Sequence, residues 1–320
     1  MPTHLLIGAG AGLVSATLFI SAAASAPALI LHLLYPLPLC LAGLGWGRSA
    51  VGLAALTATA VLVAVFGIAT ALGYALVVAI PIAILVHLIL QSRPAGQPDG
   101  EGKPGVEWYP AGRLVGIAAL IAGVPAGLMV LQLGPDATSY QASIDELILL
   151  IQGEPGSDND VLTPELVESL RTFIGAFLPA GFAIGWLINM LFNLWLAGTI
   201  AKASGQALRP WPDLHGLEIP GVIVAVFAGA LIASFVPGVI GLIATGFAGA
   251  MLFAYVLQGL AVIHVYTLGM QFRPLLLAGV YLGIVLFLWL AILVAILGLG
   301  EPMFGLRARK NAAGGRKDNN

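Results

Sequence analysis

Two carboxamides four residues apart, Asn189 and Asn193, stand out in the longest uncharged stretch of this 320-residue chain. At that spacing they share one face of a helix. Trp186, three residues before Asn189, sits close to the same face. A carboxamide surrounded by hydrocarbon can bond a neighbouring helix or hold a polar solute. Both uses are open to this pair, and Gln258 offers the same choice. His264 is the most interior of three histidines in or near apolar runs; the others are His32, beside Pro36 and Pro38, and His87, close to Gln91 and Arg93. An ionisable side chain within a membrane helix is a candidate for proton or ligand handling. Trp186, Asn189, Asn193, Gln258 and His264 are therefore the candidate ligand-binding residues.

The missing residue types narrow the chemistry. No Asp, Glu, Lys or Arg falls centrally in any apolar run. That argues against a carboxylate proton relay and against paired intramembrane aspartates. No His-Glu-x-x-His, Walker A loop or Gly-x-Ser-x-Gly is present. No two histidines have metal-ligand spacing, and Cys40 is the single cysteine, in an apolar run where it reads as a small hydrophobe. The expectation is a protein that is not an enzyme, with no catalytic residue, cofactor or metal. Energised transport would need a separate ATPase partner.

The elements that position these residues are helices in lipid. The chain is 59% hydrophobic and 9% charged, with mean hydropathy +1.01. Soluble domains carry about 25% charged residues. A net charge of -2 gives no basic footprint for nucleic acid. The predicted fold class is an all-α polytopic membrane helix bundle with about eight (8–9) transmembrane helices. Apolar runs lie near 5–24, 28–46, 49–67, 69–91, 113–133, 172–201, 219–236, 238–267 and 274–298. The run 5–24 reads as a retained first helix, although Ala24-Ser25-Ala26 has the look of a cleavage site. Pro36 and Pro38 shorten or bend the second run. Pro237-Gly238 divides 219–267 into two spans, or one span and a re-entrant piece. Between Arg171 and Lys202 no charge occurs, which is ~45 Å of helix against ~30 Å of hydrocarbon. Along it Gly181, Gly185, Asn189, Asn193, Ala197 and Ala201 form a stripe where a neighbouring helix could come close. Gly8, Gly12 and Ala16 are small enough for close packing within the chain or for docking a partner.

Charge sets the expected orientation. Residues 92–112, with Arg93, Lys103 and the adjoining Arg113, read as a flexible cytoplasmic loop. Residues 134–170 hold eight acids and no Lys or Arg, and face the other side. Residues 202–218, with Lys202 and Arg209, return to the cytoplasm. The tail holds Arg307, Arg309, Lys310, Arg316 and Lys317 and should be cytoplasmic too. Three spans between 219 and 298 would put it outside, so an even number is preferred, with part of 219–267 not spanning. The expected organisation is a bundle at 1–91, the loop 92–112, a second bundle at 113–298 and the basic tail 299–320. Within the acidic segment, Thr163-Pro164-Glu165 is a good helix start. Residues 141–152 read either as an amphipathic helix on the membrane surface or as a partly ordered loop.

Two stretches carry a family resemblance. They are Gly298-Leu-Gly300-Glu301-Pro-Met-Phe304-Gly-Leu306-Arg307-Ala-Arg309 and Tyr255-Val-Leu-Gln258-Gly259-Leu-Ala-Val-Ile263. With Asn189 and Asn193 before a basic loop, they resemble the YybS-like bacterial membrane proteins, domain of unknown function 2232. Gly305 stands where the pattern leads us to expect an acid. The N-terminal half, at Pro36-Leu-Pro38 and Gly43-Leu-Gly45-Trp-Gly47, is more loosely similar to the substrate-binding S components of energy-coupling-factor vitamin transporters. The resemblances imply a bacterial inner-membrane protein with both termini inside and a small solute or a partner module. The competing expectation is a non-catalytic scaffold whose basic tail docks a cytoplasmic partner or anionic lipid.

Overall fold

In lipid every backbone N–H and C=O must be satisfied within the protein, and helices do this most simply. The computed structural model describes residues 3–21, 31–98, 104–152, 163–307 and 309–310. Ala24-Ser25-Ala26, Lys103, Glu154, Asp158, Asp160, Arg316 and Lys317 lie outside the described residues. The chain is an all-α membrane bundle, as its composition requires. Among the described residues, six helices are long and apolar enough to cross a bilayer: α1 (Thr3–Ser21), α3 (Arg48–Phe66), α4 (Ile68–Ile89), α5 (Ala111–Leu133), α7 (Pro164–Ala203) and α9 (Val239–Tyr266). Four apolar helices are shorter: α2 (Leu37–Trp46), α8 (Gly221–Ala233), α10 (Arg273–Leu286) and α11 (Leu288–Phe304). The amphipathic segment is helical as well, as α6 (Ala137–Gln152).

Helix ends follow local chemistry. Gly47 and Gly67, at φ 93° and 81°, turn the chain between α2, α3 and α4. Pro81 brings no N–H to the ladder of α4, and just before it the ladder widens: Ile80 N–H reaches Ala75 O. Helix α7 starts where its cap predicts, with Leu166 N–H on Thr163 Oγ1 at 3.3 Å.

Two expectations about the elements themselves are corrected. Residues 92–112 are not a featureless loop. Ser92–Pro98 (β1) and Pro104–Trp108 (β2) pair as an antiparallel hairpin, with Arg93 opposite Glu107. Arg93 Nε and the Glu107 carboxylate lie 2.8 Å apart. Hydrogen bonding from Arg93 holds the Glu107 carboxyl below its usual range. The prolines and glycines suggested a loop, but a cross-strand ion pair and main-chain bonds order it. The run 274–298 is not one helix either. Phe287 leaves it at φ -125°, ψ 90°, separating α10 from α11. No proline marks that break between 275 and 301, so the sequence carries no sign of it.

The structure divides into two compact units, discontinuous along the chain: Met1–Leu114 with Leu187–Asp213, and Val115–Trp186 with Leu214–Asn320. In the first unit, α1 lies on α3 so closely that a Cβ on Gly8 would sit 2.6 Å from Ala50 O. Gly8 and Gly12 are thus used within the chain, not as a partner-docking face. In the second unit α5, α7 and α9 pack through glycines of α9. A Cβ on Gly249 would meet Ala180 at 2.6 Å, and one on Gly246 would meet Ala126 at 2.8 Å. The close seam of α7 is therefore at Pro179 and Ala180. Nothing among the described residues lies within 4 Å of a Cβ on Gly181 or Gly185, where the stripe had suggested a close neighbour. Helix α6 buries Tyr140, Ile144 and Ile148 against Val130, Val167, Ile174 and Val239, and exposes Leu149 and Leu150. Tyr140 Oη donates to Gly175 O at 3.1 Å, and Arg171 pairs with Asp145 at 3.2 Å.

This packing separates glycines that matter from those that do not. Gly249→Leu should destabilise the detergent-solubilised protein by about 1–3 kcal/mol through overpacking. Gly181→Ala should stay within about 0.5 kcal/mol of the parent. Thermal unfolding of both variants, followed by loss of monodispersity on size exclusion, checks this.

Candidate functional site

The polar chemistry of the first unit gathers around a broken helix. Residues 33–36 form a turn before α2, with Pro36 and Pro38 preventing a continuous helix. Such a break strands carbonyls that water would satisfy in a soluble protein. Here each has a partner. Leu31, His32 and Leu34 carbonyls accept from Leu34, Tyr35 and Leu37 N–H, and Pro36 O accepts from Cys40 N–H. The two left over are served by side chains. Asn193 Nδ2 donates to Leu33 O at 3.0 Å, and Ser15 Oγ donates to Tyr35 O at 2.5 Å.

Asn193 is fully buried. Its Nδ2 also lies 2.8 Å from Asn189 O and 3.1 Å from Asn189 Oδ1. Three oxygens around Nδ2 fix which way the carboxamide points. Asn193 Oδ1 is then buried with no donor. An unpaired buried acceptor costs about 1–3 kcal/mol, so this oxygen calls for a partner. Beside the break, Ser15 Oγ and Tyr74 Oη are 2.7 Å apart, and His32 Nδ1 is 3.2 Å from Phe19 O. The rings of Phe19, His32, Tyr35 and Tyr74 pack together, with His32 and Tyr35 centroids 4.8 Å apart.

One end of the same unit is held by arginines. Arg209 donates to Ile89 O at 3.0 Å and Tyr109 O at 2.9 Å, and Arg48 donates to Leu90 O at 2.9 Å. Cations on the last carbonyls of α4 also suit its dipole. The Arg209 guanidinium lies 5.7 Å from the Trp108 ring centroid. Burial lowers the pKa of Arg209 from its ordinary value. Arg209 thus joins the segment 202–213 to Tyr109 and Trp108 at one end of this unit.

In the second unit Gln258 is committed to structure. It is fully buried, accepts from Ile219 N–H at 2.6 Å and donates to Gly298 O at 2.7 Å. The two stretches that carry the family resemblance are therefore bonded to each other. His264 pairs with Tyr281 Oη at 2.9 Å. Gln258 and His264, six residues apart on α9, take separate partners. Trp186 is buried and engaged. Of the five candidates, Asn189 and Asn193 are brought together, and Gln258 is the one whose two ends are both spent on the backbone.

The sequence reading did not anticipate the pairing of Glu301 and Arg307. Glu301 sits in the last turn of α11, buried, with Oε1 2.7 Å from Arg307 Nε. Arg307 also donates to His215 O at 2.8 Å and Leu217 O at 3.1 Å. Gly305 makes this possible. At φ 56° it ends the helix left-handed, with its N–H on Glu301 O at 2.9 Å, and folds Arg307 back. The acid expected at 305 is replaced by the turn that lets the acid at 301 do the pairing. A glycine between an acid and an arginine six residues apart was the available signal.

Removing one partner of this pair should cost about 3–5 kcal/mol, because the other charge is left buried. Arg307→Ala and Glu301→Ala are each expected to reduce the folded fraction sharply. The double replacement Glu301→Leu with Arg307→Met should recover much of the loss. Unfolding curves of the three variants in one detergent read this out.

No curated protein and no solved structure matches this chain. A protein-family profile does match, over residues 13–300, and its description is predicted membrane protein (DUF2232). Since that match covers most of the chain, reaching into both units and including Gln258 and Gly298, the chain belongs to the DUF2232 family of predicted membrane proteins.

Proposed function

We propose that this integral membrane protein is a non-catalytic transport component that holds a small polar solute in its first unit, beside the broken helix before α2. The observation that carries the reading is Asn193 Oδ1, a buried acceptor without a donor whose carboxamide is locked in orientation by three oxygens. Discontinuous helices near mid-membrane are where transporters build solute sites. Asn189, half-buried one turn away, gives a second polar group on the same face. Such a protein would sit in the bacterial inner membrane and rely on a separate energising partner. The end bearing Arg48, Arg93, Arg113, Lys202 and Arg209 would face the cytoplasm by the positive-inside rule.

The test is retention of a co-purifying small molecule through gentle-detergent purification, read by mass spectrometry. Asn189→Leu keeps the Asn193 bonds to Leu33 O and to the backbone of residue 189. It should abolish retention while leaving the folded yield unchanged. A parent protein that never carries a solute would end this reading.

The scaffold reading rests on the tail. Arg307 is spent inside the molecule, so docking would fall to Arg309, Lys310 and the residues beyond. Removing residues 311–320 should therefore leave stability intact, whereas removing 306–320 should destroy it along with the Glu301 pair. A partner lost on the shorter truncation, with solute retention untouched, would favour docking.

A further inference from the structure

We infer that α10 and α11 form a re-entrant hairpin, entering and leaving the membrane on the side where Arg307 meets His215. The register of α11 on α9 carries this. Gln258 Nε2 donates to Gly298 O at 2.7 Å, and Tyr266 Oη donates to Leu306 O at 3.0 Å; both pairs are 40 residues apart in sequence. A constant offset means that α11 runs parallel to α9. By that offset Leu288 (288 - 40 = 248) begins α11 level with Ala248, part-way along α9 (Val239–Tyr266).

The ends of α9 are distinct. Its start, at Val239, Leu242 and Ile243, packs with Tyr140 and Ile144 of α6. Its end is at the level of Leu306, beside Arg307, whose guanidinium reaches His215 and Leu217 carbonyls. Helix α10 starts from a turn directly after that end, where Gly269 has φ 78° and Arg273 N–H bonds Met270 O. It must therefore run back toward the middle of α9 to reach Phe287. Near the tip the two arms touch: a Cβ on Gly283 would lie 2.6 Å from Leu290 Cδ2.

Length agrees. The arms have 14 and 17 residues, ~21 and ~26 Å of helix, each short of ~30 Å of hydrocarbon. An uninterrupted run over 274–298 would have crossed and carried the tail to the far side. The hairpin instead contributes no crossing. The segment from Ile219, whose N–H bonds Gln258 Oε1, through α8 and the turn 234–238 to Val239 runs beside ~30 Å of α9 and so goes across, and α9 returns. The even crossing number thus arises at 273–304, not by loss of a span from 219–267.

Thiol accessibility tests this in the intact protein. Cys40 is buried, so the parent chain serves as the blank. Single cysteines replace Met270, Leu288 or Arg309, with Ala142→Cys marking the α6 end; all four positions are exposed. A membrane-impermeant maleimide is applied to sealed vesicles of each orientation. Met270→Cys and Arg309→Cys should label from one side and Ala142→Cys from the other. Leu288→Cys should label only after detergent, or only from the Met270 side. Labelling of positions 270 and 309 from opposite faces, or of 288 from the Ala142 face, overturns the hairpin. A protease site inserted after Lys310 reports the side of the tail without altering either arm.

Discussion

A peptide group in hydrocarbon cannot turn to water, and several of this chain's helix ends and breaks are tied inward by side chains from other elements. Asn193 and Ser15 serve the carbonyls stranded before α2. Gln258 serves both the N–H at the start of α8 and a carbonyl on α11. Arg48 and Arg209 close the end of α4, and Arg307 closes the segment before α8. A single bond of this kind contributes modestly, about 0.6–2 kcal/mol. Its absence is costlier, because the alternative is a bare polar group in lipid.

Around those bonds the packing is a matter of clearance. Hydrophobicity gives little drive between helices when lipid tails are as apolar as leucine. Glycine allows two backbones to approach, and Gly249 against Ala180 and Gly8 against Ala50 use it that way. Gly181 and Gly185 do not, although they are four residues apart like Gly8 and Gly12. Spacing shows that a helix face is smooth. Only the partner's position shows that the smoothness is used.

The membrane class, the helix start at Thr163, and the shared helix face of Asn189 and Asn193 were legible from residue types and spacing. Each rests on interactions within one element. The hairpin at 92–108 was hidden because its order comes from pairing Arg93 with Glu107, fourteen residues apart. The break at Phe287 was hidden because no proline or glycine sits at the turn. The candidate site divides in the same way. The carboxamides were found by type, but that Gln258 is consumed by the backbone while Asn193 keeps a free oxygen depends on Ile219, Gly298 and Leu33, all remote in sequence.

The central claim is that a side chain from α7 holds the Leu33 carbonyl. A backbone ester tests it most directly. Replacing Leu34 by its α-hydroxy acid turns the Leu33 carbonyl into an ester carbonyl, a weaker acceptor, and removes the Leu34 N–H. Combined with Asn193→Leu in a double-mutant cycle, the lost N–H cancels and the Leu33–Asn193 coupling remains. The expected coupling is about 1 kcal/mol; a value indistinguishable from zero would contradict the account.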